Sequence, residues 1–99
     1  MSKPRRKGAA GPPSPFTLAV AALVDALRGE LDVTQEEIAE AIGKTQPYVS
    51  ARVRLELPWS SNDFDGLAEI FGMDPFEFVA RAAEFADAAQ ARARERQPG

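Results

Sequence analysis

The apolar positions of this chain follow a helical period from Pro15 onward, and they break into five runs at glycines, prolines and capping residues. In the first run Phe16, Val20, Leu23 and Leu27 fall three or four residues apart, which predicts a helix over about Pro15–Arg28. Ala19, Ala21, Ala22 and Ala26 are small enough to let neighbours approach it closely. Ser14 is placed to cap it, and Pro15 fills the first helical position, where a missing N–H leaves no bond unmade. Gly29 should end it.

The next two runs lie close together. Ile38 and Ile42 are four apart, Ala39 is small where another helix must approach, and Gly43 falls where the helix must stop. Thr34 and Glu37 have the spacing of a capping box, the hydroxyl serving the N–H three residues on while the carboxylate reaches back. Gly43, Lys44 and Thr45 form a turn, and Thr45 caps a third helix in which Val49 and Val53 share the buried side. Pro47 sits early enough in that helix to need no partner for its nitrogen. Two short helices crossing at a tight turn are the helix-turn-helix pattern, here over 34–55, with the helix at 45–55 left to enter the major groove of DNA. In the loop marked by Pro58, Trp59 is expected to plug the core rather than touch DNA.

A fourth run, Ser61 to Phe71, carries Phe64, Leu67, Ile70 and Phe71 on one side and ends at Gly72. Asp74, Pro75 and Glu77 then restate the start signal for a fifth helix reaching about Arg94. That helix offers two apolar stripes: Phe76, Val79, Ala80 and Ala83 along one line, and Phe78, Ala82, Phe85 and Ala89 along another. One stripe packs on the domain. The second, with Phe78 and Phe85, is either a homodimer interface or buried within the chain like the first.

Composition narrows the class. Ninety-nine residues, 44% hydrophobic and 27% charged, suit one small domain with a modest core. The chain has no cysteine and no histidine, which excludes disulfides, zinc sites built from those ligands, and histidine-based catalysis. With no glycine-rich phosphate loop either, neither an enzyme nor a bound metal, cofactor or small-molecule ligand is expected. No segment approaches the ~20 apolar residues of a membrane span. A signal peptide is disfavoured because Asp25 and Arg28 interrupt the apolar run after the basic start.

The net charge of -3 is unusual for a DNA-binding protein, so the cations must cluster. Lys3, Arg5, Arg6 and Lys7 form an arm without acids, Lys44, Arg52 and Arg54 flank or lie on the third helix, and Arg92, Arg94 and Arg96 stand near the end. Local sign dominates, because phosphates feel charges within roughly 8 to 10 Å. Residues 1–13 are expected to be a disordered basic arm that lies along phosphates, enters the minor groove or merely solubilises. Residues 14–85 then form the domain, and 86–99 a helix extension with a basic tail.

Val33-Thr34-Gln35-Glu36-Glu37-Ile38-Ala39, Gly43, Val49-Ser50 and Leu67-Ala68-Glu69-Ile70-Phe71-Gly72-Met73-Asp74 together carry a resemblance. From about Leu23 to Val79 the chain resembles the lambda-repressor-like (Cro-type, xenobiotic-response-element) family of helix-turn-helix domains. The stretch from Val49 through Trp59 is further similar to repressors of temperate phages and regulators of actinobacteria. The resemblance implies an all-α, compact five-helix DNA-binding domain, repression of transcription by promoter occlusion, and a cytoplasmic, nucleoid-associated location in a bacterial or phage-infected cell. Three positions depart from the family pattern: Lys44 and Arg52 replace apolar residues, and Leu55 replaces a helix-ending glycine. The rotation of the third helix, and the direction of Arg52, are therefore left open.

The first turn of such a helix lies deepest in the groove, which places Gln46, Pro47 and Tyr48 there and Ser50, Ala51 and Arg54 further along, with Thr45 at the start. Gln46 is the first candidate for a base contact, since its amide can pair both ways with adenine. The resemblance implies that Gln35 braces Gln46 while holding a phosphate. Arg52 and Arg54 divide one guanine and one phosphate contact in either order, and Lys44 anchors a phosphate. Tyr48 either stacks on a thymine methyl or sugar edge, or braces the turn. Glu36, Glu37 and Glu40 should face away from phosphate or serve the cap. The rival class is a protein-interaction module, such as an antitoxin subunit, that uses the fifth helix.

Overall fold

The computed structural model describes residues 13–96, with side chains throughout except at positions 89, 90 and 92–96. Five α-helices follow one another: α1 Pro15–Leu31, α2 Gln35–Ile42, α3 Gln46–Val53, α4 Phe64–Ile70 and α5 Pro75–Arg96. A 3-10 turn, Ser61–Asp63, leads into α4. No strand occurs among the described residues, so the all-α expectation is met.

The helix starts follow the sequence signals. Ser14 accepts the Thr17 N–H and Thr45 accepts that of Tyr48, while Thr34 and Glu37 form both bonds of their capping box at 3.1 and 2.8 Å. Asp74 accepts the Glu77 N–H at 2.9 Å. The helix ends depart from the expectation at one place. Gly29 does not stop α1, which continues to Leu31 and turns at Asp32 with φ 60°.

Each of the first four α-helices is closed by a left-handed residue, at Asp32, Gly43, Leu55 and Gly72. In each case the next N–H reaches back to a carbonyl five residues earlier: Val33 to Arg28, Lys44 to Ala39, Glu56 to Ala51 and Met73 to Ala68, all at 2.9 Å. This is the Schellman arrangement, which glycine adopts most readily. Leu55 takes the same geometry with φ 66° although its side chain is 63% exposed, so no packing offsets its strain.

Two helix pairs build the core. The long α1 and α5 pack along each other, while α4 bridges α5 to α2, and α3 rests on α2. Val20, Leu23, Val24 and Leu27 of α1, Ile38 and Ala39 of α2, Val49 of α3, Leu67 and Ala68 of α4, and Phe78 and Ala82 of α5 make one cluster. Trp59 closes it, as expected, from the loop before α4. The Phe64 and Phe78 rings meet at 5.3 Å between centroids, tilted by 53°. Helix α4 reaches α2 at Gly66, where a Cβ would lie 2.7 Å from the Ala41 carbonyl oxygen.

These contacts correct the homodimer stripe. Phe78 and Ala82 are fully buried inside the chain, because α5 turns this line, rather than Phe76, toward α1 and α4. Phe85 remains 38% exposed, and the Ala89 side chain lies outside the described residues. Phe76, expected on the packing stripe, is 86% exposed. Among the described residues no helix is long and apolar enough to cross a membrane.

Candidate nucleic-acid interface

Helix α3 exposes one face and buries another. Val49 is completely enclosed and Tyr48 and Val53 pack against the core beside it. At about 100° per residue, Pro47, Ser50, Ala51 and Arg54 fall about 100° to 160° around the helix from Val49, while Gln46, about 60° from it, is open because it begins the helix. Gln46, Pro47 and Arg54 are open to solvent and Ser50 and Ala51 half-buried.

The leading edge of this face is held in place. Gln46 Nε2 donates to Gln35 Oε1 at 2.7 Å, tying the first residue of α3 to the first residue of α2. The bond fixes which end of the Gln46 amide is engaged and leaves its carbonyl oxygen and a second N–H for another partner. On the far side of α2, Glu37 and Glu40 line an open hollow with Val33, Ala41 and Ile70, turned toward α4 and away from Gln35. The acids of α2 are thereby kept off the α3 face at these two positions.

Tyr48 braces the motif. Its hydroxyl donates to Asp63 Oδ2 at 2.8 Å, and the same oxygen accepts the Ser60 N–H at 3.1 Å. Asp63 is buried, so α3 is pinned to the start of the next helical segment through a polar node inside the domain. Burial first, then the hydrogen bond to Asp63 and its charge, push the Tyr48 phenol above its ordinary 10.0 against the pull of Arg52. Asp63 did not figure among the candidates from sequence, yet Ser60 and Asp63 have capping-box spacing and form that box.

Arg52 is turned onto this brace. Its guanidinium carbon lies 3.5 Å from the Tyr48 ring centroid and Nη1 donates to the Tyr48 carbonyl at 3.1 Å. One turn apart on α3, the two side chains share a flank rather than the exposed face. The planar face of Arg52 and one of its donors are thus engaged within α3. Lys44 remains exposed, with its ammonium 5.0 Å from the same ring.

Arg54 stays on the exposed face but is also engaged. Nε and Nη2 donate to the two carboxylate oxygens of Glu56 at 2.9 and 3.1 Å, and Nη1 donates to Ser50 Oγ. The arginine holds the Glu56 carboxyl below the ordinary carboxylate range. Glu56 is a second residue not found from sequence, since two positions apart is not a pairing distance on a helix. Thr45 serves as the α3 cap, while Lys3, Arg5, Arg6 and Lys7 lie outside the described residues.

Residues 17–62 match the family model described as the ParB HTH domain. No curated protein matches the sequence. Among solved structures, the crystal structure of the clp gene regulator ClgR from Corynebacterium glutamicum is similar, with a TM-score of 0.67 at 23% identity over 82% of this chain and 85% of that one. Neither match singles out the lambda-repressor-like family. What the chain carries is a helix-turn-helix domain, similar over residues 17–62 to the ParB HTH domain and set in an all-α fold shared with ClgR.

Proposed function

We propose that the chain is a sequence-specific double-stranded DNA-binding regulator of transcription that inserts α3 into the major groove and represses by occluding a promoter, in the manner of lambda-repressor-like domains. The observation that carries this is the exposed face of α3 opened by Gln46, whose amide is pre-oriented by Gln35 at 2.7 Å. A fixed amide loses little rotamer freedom on pairing with adenine, which favours readout over general adhesion. The match to a helix-turn-helix family and the likeness to a protein named as a gene regulator agree with it. Action is by binding alone, without a catalytic step. A twofold contact through α5 would use Phe85 and residues beyond it, Phe78 being buried.

The test is Gln46→Ala on a duplex recovered by selection from a random library. A loss of about 1 to 3 kcal/mol there, with relaxed preference at one base pair, is expected. Equal binding of the variant and the parent to selected and random duplexes would remove Gln46 from the readout. A protein-interaction role has one observation in its favour, the 86% exposed Phe76 at the start of α5. A stable heterocomplex without salt-sensitive duplex binding would favour that role.

A further inference from the structure

Arg54 is the cation that the fold places furthest along the exposed face of α3, and in the free protein its fork is already filled. Both oxygens of Glu56 accept from Nε and Nη2, a bidentate match of the kind arginine makes with a phosphate or a guanine edge. Residues two apart on a helix do not face each other. The pair exists because Leu55, in the left-handed region, reverses the chain after α3, and the Glu56 N–H is fixed on the Ala51 carbonyl at 2.9 Å. Ser50, one turn back, takes the remaining terminal amine. Two groups, through three hydrogen bonds, therefore hold Arg54 beside the groove-facing surface, with a carboxylate where a duplex would present its acceptor.

Resting on the DNA-binding proposal above, we infer that Glu56 is a specificity-determining residue: an internal competitor that keeps Arg54 from general phosphate contacts and releases it only to a better-matched acceptor. An exposed, solvated ion pair is weakly held, so the exchange is accessible at equilibrium. A phosphate on an arbitrary duplex offers Arg54 about what the carboxylate already gives. A guanine edge in register with Gln46 adds two directed acceptors to contacts that α3 already makes on that duplex, so the exchange is offset by the docked helix as a whole. Glu56 thus lowers binding to arbitrary sequence more than binding to the preferred one.

The experiment compares the full chain with Glu56→Gln, Arg54→Gln and the double variant, each titrated with a random-sequence duplex pool and with a duplex selected by the parent. Glu56→Gln is expected to bind the random pool about fivefold tighter near physiological salt, with a log–log salt slope steeper by about one. The selected duplex gains less, so discrimination shrinks, and the gain disappears when Arg54 is also glutamine. No gain, an equal gain on both duplexes, or a gain that persists without Arg54 would each overturn the inference. If the parent chain itself fails to bind any duplex, the DNA-binding proposal falls and takes this one with it. If the parent binds and Glu56→Gln behaves identically, only the role of Glu56 falls.

Discussion

Tyr48 is the residue on which the geometry of the helix-turn-helix turns. Its ring lies against both Arg52 and Lys44, its hydroxyl reaches Asp63, and its backbone N–H is the one that Thr45 caps. It is also the only tyrosine, so phenolate absorbance reports on it alone. Its titration midpoint is expected above 10.0 in the folded protein, with burial the largest cause, and Asp63→Asn should bring it back toward that value. A folded pKa raised above the unfolded one stabilises fully below the unfolded value and is lost as pH rises through the folded value. Stability should therefore decline on the alkaline side, beyond about pH 10, and Trp59 fluorescence would follow the unfolding. An ordinary midpoint would mean that the bond to Asp63 is not kept in solution. The orientation of Arg52 was not legible in sequence for a related reason. Whether an arginine beside the core points out or folds back depends on an acceptor and a ring that only the packed turn supplies, here the carbonyl and ring of Tyr48.

At the scale of elements, most starts were legible and most departures concern ends and faces. Capping residues act within three positions of themselves, so Ser14, Thr34, Thr45 and Asp74 announce their helices from sequence. An end can close on any residue that tolerates the left-handed region, and α1 passed over Gly29 to close on Asp32. The two stripes of α5 could not be ranked by periodicity, because both are apolar and only the shape of the groove between α1 and α4 selects Phe78 over Phe76. The α2–α4 contact is likewise invisible in the hydrophobic pattern, since it depends on the absence of a side chain at Gly66. There a methyl group would sit 2.7 Å from the Ala41 oxygen and 2.9 Å from Ile42 Cγ2, so two helices would have to part. Gly66→Ala is expected to destabilise by about 2 kcal/mol despite the better helix propensity of alanine. Denaturant unfolding measures this, and an increase in stability would show that α4 can slide on α2 at no cost.

On the proposed function, the question for the whole molecule is how a chain of net charge -3 approaches a polyanion. Of the three cations that sequence placed at the groove, Arg52 is folded onto Tyr48, Arg54 is held by Glu56, and Lys44 is exposed at the turn, 5.0 Å from the Tyr48 ring. Under that proposal, the exposed face of α3 reads a base edge but carries little charge with which to attract a backbone. Affinity at physiological salt then has to come from elsewhere in the chain, and Lys3, Arg5, Arg6 and Lys7 are the densest group of cations uninterrupted by an acid. On the proposed function, removing residues 1–7 should weaken binding to selected and random duplexes alike and reduce the log–log salt slope by about 2 to 4, near one for each phosphate that is no longer neutralised. Discrimination between the two duplexes should survive, because Gln46 and the Arg54–Glu56 pair stay in place. Titrations at a series of salt concentrations separate the outcomes. An unchanged slope would make the arm inert and return the electrostatic work to Lys44 and the released Arg54, whereas a collapse of discrimination would mean that the arm itself reads sequence, as minor-groove arms do.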